Sequence, residues 1–235
     1  MDRERRRALA KLTLSLRVIG RRNDGLHLLD AEMVTVDLAD DLEFSHGDGL
    51  ELLPGLAAGP LDDTNLVRRA LRAAGRTAHV GLRKRIPPGS GLGGGSADAA
   101  AVLRWAGVTD TGIAASLGAD VPFCLVGGRA RVTGIGDVVD PLAFEERAFT
   151  LLTPPLEVPT PAVYLAWDEL GGPTADGAND LEPAALVVEP RLARWRDHLG
   201  DTTGVTPQLA GSGATWFVAG RYPGPGLICV RAAVP

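Results

Sequence analysis

From residue 9 to residue 19 apolar and polar side chains alternate, Leu-Ala-Lys-Leu-Thr-Leu-Ser-Leu-Arg-Val-Ile. A period of two marks a half-buried strand, here with Leu12, Leu14, Leu16 and Val18 on one face and Lys11, Thr13 and Ser15 on the other. Asn23-Asp24-Gly25 is a turn signal, because these residues tolerate the backbone of tight turns, and Met33 to Leu38 reads as a second strand. Residues 54–63 are rich in Pro, Gly and Asp and read as a loop. Asn65 to Ala74 has helical spacing, with Leu66, Ala70 and Leu71 on one stripe and Gly75 at its end. His79 to Lys84 reads as a short strand.

That strand runs into Pro87-Pro88-Gly89-Ser90-Gly91-Leu92-Gly93-Gly94-Gly95-Ser96, and then into an alanine-rich run. The run predicts a helix with Ser96 as its N-cap, Asp98 in its first turn and Gly107 just past its end. A glycine loop feeding a helix N-terminus is an anion site, because unpaired N–H groups and the positive end of the helix dipole converge there. Phosphate is the anion expected. The pattern G-x-x-x-x-G-K-[ST] is absent, since no lysine follows the glycines. Gly89, Gly91 and Gly94 match G-x-G-x-x-G, but Pro87 and Pro88 interrupt the strand-to-glycine turn that a dinucleotide site requires.

A second short helical stretch is expected to about Leu117. In Leu117-Gly-Ala-Asp-Val-Pro-Phe-Cys124, Asp120 is the single acid among apolar neighbours. That is a helix cap at a turn or a general base, and the residues alone leave both open. Residues 125–140 are glycine-rich with strand-like pairs. Ala148 to Leu152 opens a new strand, and the expected boundary lies just before it. A helical region starts at Asn179-Asp180-Leu181-Glu182, and Arg191 to Leu199 is amphipathic. Gly211-Ser212-Gly213 is a hairpin turn or a second backbone-lined anion pocket. Leu227 to Val230 is the last strand. The pattern predicts a two-domain α+β protein, residues 1–145 and 146–235, with its sites in the cleft between the halves.

Composition narrows the function classes. Of 235 residues 45% are hydrophobic, which marks a globular chain, and the net charge of −5 argues against nucleic acid as a partner. The basic start, Arg3 to Arg7, reads as a solvated end that also carries Asp2 and Glu4. No apolar run is long enough for a membrane span. Two cysteines, Cys124 and Cys229, form neither a disulfide framework nor a zinc pattern, so a cytoplasmic setting is expected. By itself Lys11 reads as a solvated lysine and His27 as a surface histidine.

Together these stretches resemble the small-molecule kinases named for galactose, homoserine, mevalonate and phosphomevalonate. The resemblance rests on Ala10-Lys11-Leu12-Thr13-Leu14, Gly20-Arg21-Arg22-Asn23-Asp24-Gly25-Leu26-His27, Asn65-Leu66-Val67, and Lys84 through Ala101. Gly118-Ala119-Asp120-Val121-Pro122-Phe123, Pro159-Thr160-Pro161, Asn179-Asp180-Leu181-Glu182 and Gly211-Ser212-Gly213-Ala214 continue it in collinear order.

The resemblance implies a two-domain kinase fold and transfer of phosphate from ATP, with Mg²⁺, to a small-molecule alcohol. Its ATP site would comprise Asn65, Lys84, Pro87, Gly89, Gly91, Leu92, Gly93, Gly94, Gly95 and Ser96. Asp120 would take the hydroxyl proton, and Lys11 would hold that hydroxyl. Thr13, His27, Thr160 and Tyr164 would contact a cytidine-bearing substrate. A monomer or homodimer is implied, with no nucleic-acid or membrane partner and metal ligands unassigned.

The sequence departs from the family pattern at Leu26, where a tyrosine is usual, at Thr13 in place of asparagine, and at Ala97 in place of serine. The chain is also short, with little room for a helix between Val218 and Leu227, so a helix cut there would expose apolar surface or leave it for an oligomer to cover. Leu26 and Thr13 keep a smaller alcohol open as substrate. A nucleotide-binding protein without turnover is the remaining alternative, and retention of Lys11 and Asp120 argues against it.

Overall fold

The computed structural model describes residues 3–235. Asp2 of the basic start lies outside the described residues. Two long antiparallel strands, β1 (Glu4–Arg21) and β2 (His27–Ser45), form the spine of the first sheet. The strand predicted from the alternation therefore begins earlier, and Arg3 aside, the basic start is strand rather than a loose end. Beyond β1, β2 pairs with β4 (His79–Arg83) along its second half and with β5 (Arg129–Gly134) along its first. β3 (Gly49–Leu52) adds parallel to β4, and β6 (Val138–Pro141) closes the far edge.

Helices α1 (Leu66–Ala73), α2 (Gly94–Trp105), α3 (Thr111–Leu117) and α4 (Val121–Val126) accompany this sheet. The alanines at 97 and 99–101 of α2, together with Val102 and Leu103, are buried against it, and small side chains let helix and strands approach closely. The expected stripe on α1 is shifted: Val67, Ala70 and Leu71 are buried, and Leu66 lines a cavity between the halves of the chain.

Residues 148–235 build a second sheet in the order β10-β7-β9-β8, from β7 (Ala148–Leu152), β8 (Gln208–Leu209), β9 (Trp216–Ala219) and β10 (Ile228–Arg231). Helices α5 (Thr160–Glu169), α6 (Glu182–Val188) and α7 (Leu192–Thr203) connect β7 to β8. The prolines around residue 160 do not prevent α5, because Pro161 occupies its first turn, where no N–H is needed.

Residues 220–227 hold no helix, but the surface beneath them is covered. Thr150 Oγ1 donates to Gly220 O and accepts from the Tyr222 amide, which folds the loop onto β7, and Tyr222 and Leu227 pack against the core. β7 is buried from Phe149 to Leu152.

Strand β1 does not keep the predicted alternation. Its register with β2 shifts between Leu9 and Lys11 and again between Thr13 and Ser15. At the first shift the extra residues lie on β2; at the second, two steps of β1 face one of β2, and this inserted residue turns the next part of β1 to the other face. Leu12 is fully buried in the core, whereas Leu16 lines the same cavity as Lys11 and Thr13. The four apolar residues do not share a face.

Candidate active site

A cavity of about 650 Å³ takes its walls from both halves of the chain. β1 contributes Lys11, Thr13 and Leu16, the segment before α4 contributes Ala119 and Asp120, and the second half contributes Thr160, Tyr164, Gly211 and Ser212. The glycine loop forms the wall between them.

Gly89, Gly91 and Gly93 have φ of +66°, +79° and +68°, the left-handed backbone for which glycine is suited. Gly91 is also confined by contact. A Cβ there would stand 2.5 Å from Gly213 O and 2.6 Å from Ala210 O, so the two glycine turns meet backbone to backbone. Asn179 fixes the second turn by donating from Nδ2 to Leu209 O (2.9 Å) and Gly211 O (2.7 Å). The Gly211-Ser212-Gly213 turn is therefore part of the cavity wall as well as a link between β8 and β9.

Helix α2 starts three residues earlier than its alanine run predicts. Gly93, left-handed, is the cap, and Ser96 lies inside the first turn. Gly93 has no side chain to satisfy the leading N–H groups, so those of Gly94, Gly95 and Ser96 are left for an anion, with the helix dipole behind them. Asp98 is not a first-turn dipole partner either: it is buried and its Oδ2 accepts from Lys84 Nζ at 2.6 Å.

Lys11 is buried, not solvated. Its backbone N–H donates to Leu92 O (3.1 Å), its Nζ donates to Thr13 Oγ1 (3.2 Å), and Nζ stands 3.4 Å from Asp120 Oδ2. Asp120 precedes α4 in the cap position, yet its side chain makes no capping bond. Asp120 thus holds the cap position through its backbone only, and its carboxylate faces Lys11. A partly exposed carboxylate beside a buried ammonium and a set of free N–H groups can accept a proton and stabilise charge that develops on transfer.

The other predicted residues divide into three groups. Pro87, Gly89, Gly91, Gly93, Gly94, Gly95 and Ser96 line the cavity. Asn65 and Lys84 also line it, but their polar groups are engaged: Asn65 caps α1 through Val67 N (2.9 Å) and donates to Pro60 O, and Lys84 is paired with Asp40 and Asp98. Leu92 does not line it. Its side chain is fully buried, and its carbonyl serves Lys11.

On the acceptor side Thr160 Oγ1 and Ser212 Oγ are 2.8 Å apart, joining α5 to the second glycine turn. His27 lies behind the cavity wall and is neither a surface residue nor part of the lining. Its ring stacks on Tyr164 with centroids 4.7 Å apart, and Nε2 is 2.8 Å from Asp168 Oδ1. Burial, reinforced by the charge of Asp120, pushes the Tyr164 hydroxyl up, so it stays protonated at neutral pH.

Sequence reasoning missed Asp40, Leu16 and the support role of Asn179. Asp40 sits among the acids of Ala-Asp-Asp-Leu-Glu and carries no signal that separates it from its neighbour Asp41.

Comparison with known proteins identifies relatives of this chain. Residues 64–128 match the model of the GHMP kinases N terminal domain. A 4-diphosphocytidyl-2-C-methyl-D-erythritol kinase of Cereibacter sphaeroides is 39% identical over 241 residues, spanning 89% of this chain and 87% of the relative. One of Paracoccus denitrificans is 40% identical over 237 residues, spanning 91% and 85%. A crystal structure of 4-(cytidine 5'-diphospho)-2C-methyl-D-erythritol kinase superposes with a TM-score of 0.79 at 32% identity, covering 98% of this chain and 100% of that one. The mevalonate kinase of Methanococcus jannaschii, at 11% identity and a TM-score of 0.61 over 99% of each chain, shares the fold.

Proposed function

We infer the function from a plain premise: this chain belongs to the GHMP kinase family, among its 4-diphosphocytidyl-2-C-methyl-D-erythritol kinases. It is an ATP-dependent kinase. It transfers the γ-phosphoryl group of ATP to a hydroxyl of 4-diphosphocytidyl-2-C-methyl-D-erythritol, in non-mevalonate isoprenoid precursor synthesis.

The observation that carries this reading is the Lys11–Asp120 pair in the same cavity as the free N–H groups of α2. Phosphoryl transfer asks chiefly for positioning and charge stabilisation. The glycine loop and Ser96 would hold the ATP phosphates. Asp120 would accept the proton of the attacking hydroxyl, and Lys11 would orient that hydroxyl. Tyr164, Thr160 and the turn at Ser212 would receive the cytidine-bearing end. Such a pair has no use in a protein that only binds nucleotide.

Magnesium is expected with ATP. Among the described residues no group of three or more His, Cys, Asp or Glu side chains could hold a metal ion. The donor set suits an ion held chiefly by ATP phosphates and water, as magnesium commonly is. No helix of the described residues is long and apolar enough to cross a membrane. A cytoplasmic enzyme, monomeric or homodimeric, accords with this reading.

The test is incubation with ATP, Mg²⁺ and either the cytidyl substrate or a small alcohol such as homoserine. ADP release with the cytidyl substrate is expected. Turnover of the small alcohol alone would overturn the substrate assignment.

A further inference from the structure

Beneath the glycine loop lies a buried group of three charged side chains. Lys84, at the end of β4, places Nζ between Asp40 of β2 and Asp98 of α2. All three residues are at most 6% exposed. Asp40 Oδ2 accepts from Lys84, and its Oδ1 accepts from the backbone N–H groups of Arg85 and Ile86 (2.8 Å for Ile86). Asp98 Oδ2 accepts from the same ammonium, and Asp98 Oδ1 is buried with no hydrogen-bond partner among the described residues.

This group lies where the phosphate loop begins and ends. Residues 87–93, the loop that would cradle phosphate, leave the chain at Ile86, whose amide Asp40 holds. They rejoin it at Gly94, where a Cβ would meet Ile86 Cγ2 at 3.1 Å and Lys84 Nζ at 3.2 Å. The start of the loop is thus held through the Ile86 amide by Asp40, and the helix that follows it is tied to the same ammonium through Asp98. We propose that Asp40, Lys84 and Asp98 form a single positioning unit for the phosphate loop, with Asp98 as the member whose charge state sets how well the loop receives ATP. This deepens the kinase reading and rests on it.

The charge balance comes from burial. Fully ionised, two carboxylates and one ammonium leave a net negative charge out of water, directly under a loop that must accept a polyanion. Such a charge is costly unless neutralised. Burial, with the nearby Asp40, outweighs Lys84 and pushes the Asp98 carboxyl up to about 8. An oxygen without donors is also better tolerated on a neutral acid than on a carboxylate. Burial draws the Lys84 ammonium down, but the charges of Asp98 and Asp40 outweigh that and hold it above its ordinary value. Around neutral pH the Asp98 carboxyl thus favours its protonated form beside the Lys84 ammonium.

The remaining polar groups near Asp98 are buried or engaged elsewhere. From α4, the Cys124 thiol is buried and pushed up to about 12, so it stays neutral. From β1, Lys11 is committed to Asp120 and Thr13. The arginines of α1 turn to Leu61 O, Ser116 O and Asp63. Arg104, further along α2, donates to the Cys124 and Leu125 carbonyls. α3 carries no charged residue.

The test is calorimetric titration of the whole protein with ATP and Mg²⁺ from about pH 7 to about pH 9.5, paired with steady-state kinetics. Wild-type ATP affinity should fall above about pH 8, by up to roughly tenfold per pH unit, as the acid loses its proton. Asp98→Asn, a neutral isostere, should keep binding near the level of the wild type at neutral pH and flatten the pH profile. Asp98→Ala should raise the Kd and KM for ATP by about tenfold, the scale of one charge-assisted hydrogen bond, with kcat changed much less. A wild-type affinity that is flat across this range overturns the proposal, whether or not Asp98→Ala folds. So does a folded Asp98→Ala protein with wild-type ATP affinity. Failure of the wild type to bind ATP at neutral pH would instead refute the kinase reading.

Discussion

Lys11 Nζ stands 3.4 Å from Asp120 Oδ2, although the two residues lie on separate elements more than a hundred positions apart. Lys11 is buried on β1 and Asp120 is partly open to the cavity, so the ammonium sits behind the carboxylate rather than in solvent. Asp120→Asn keeps size and hydrogen bonding but removes the proton acceptor. We expect kcat to fall by about 10²–10⁴-fold with ATP binding retained. Lys11→Met should also lower kcat, and the double mutant should lose less than the product of the two, since both act on one hydroxyl. Single-turnover measurements decide it, and wild-type rates for Asp120→Asn would refute the assignment.

Gly93 borders the stem of Lys11 directly. A Cβ there would meet Lys11 Cγ at 2.8 Å, on a backbone already at φ +68°. Gly93→Val is therefore expected to lower kcat as well as ATP affinity, because the lysine stem must move. Calorimetry with kinetics separates the effects, and weaker ATP binding with unchanged kcat would show that Lys11 had not shifted.

The contact of Gly91 with Gly213 O and Ala210 O has no flexible partner to yield. Gly91→Ala should cost about 1–3 kcal/mol from the left-handed backbone alone, and more from the overlap. Gly177→Ala is the control, since a Cβ there meets nothing within 4 Å. Thermal denaturation should lower the Tm of the first and leave the second near wild type; equal values would refute the close approach.

Leu26 is exposed and absent from the cavity wall, and one face of the Tyr164 ring is already covered by His27. We therefore expect a cytosine ring to stack on the open face of Tyr164 alone, not between Tyr164 and Leu26. Tyr164→Ala should weaken the cytidyl substrate by ~1–3 kcal/mol, the scale of a base–aromatic contact, and spare ATP. Leu26→Tyr should change KM little. A marked fall in KM for Leu26→Tyr would restore the two-sided arrangement.

The raised Asp98 acid also bears on folding. In the unfolded chain the carboxyl titrates near ~3.9, and in the folded protein at about 8. Between these values the native state holds a proton that the unfolded state has released. Its contribution to stability is thus full below about pH 4 and lost as the pH rises toward about 8. The Tm of Asp98→Asn should decline less than that of wild type across this interval. Parallel curves would show that Asp98 is ionised in the folded state.

The glycine loop, the helix behind it, the hairpin before it and the order of the motifs were legible in the sequence. Each depends on local chemistry: positive φ needs glycine, and alternation or helical spacing needs only neighbours within a turn or two. The second sheet was legible for the same reason, through its apolar runs. Where Lys11, Leu16 and Leu92 point was not, because the register shifts between β1 and β2 and the packing of the loop on Lys11 depend on partners far along the chain. The start of α2 at Gly93 was settled by the close approach of that loop to Lys11 and Ile86, which overrode the preference of Ser96 for the cap. The pairing of Asp120 with Lys11, and the joining of Asp40, Lys84 and Asp98 into one buried unit, were decided by tertiary structure alone. An isolated carboxylate looks the same in a sequence whether water or a distant ammonium compensates its charge, and only folding brings the ammonium to it.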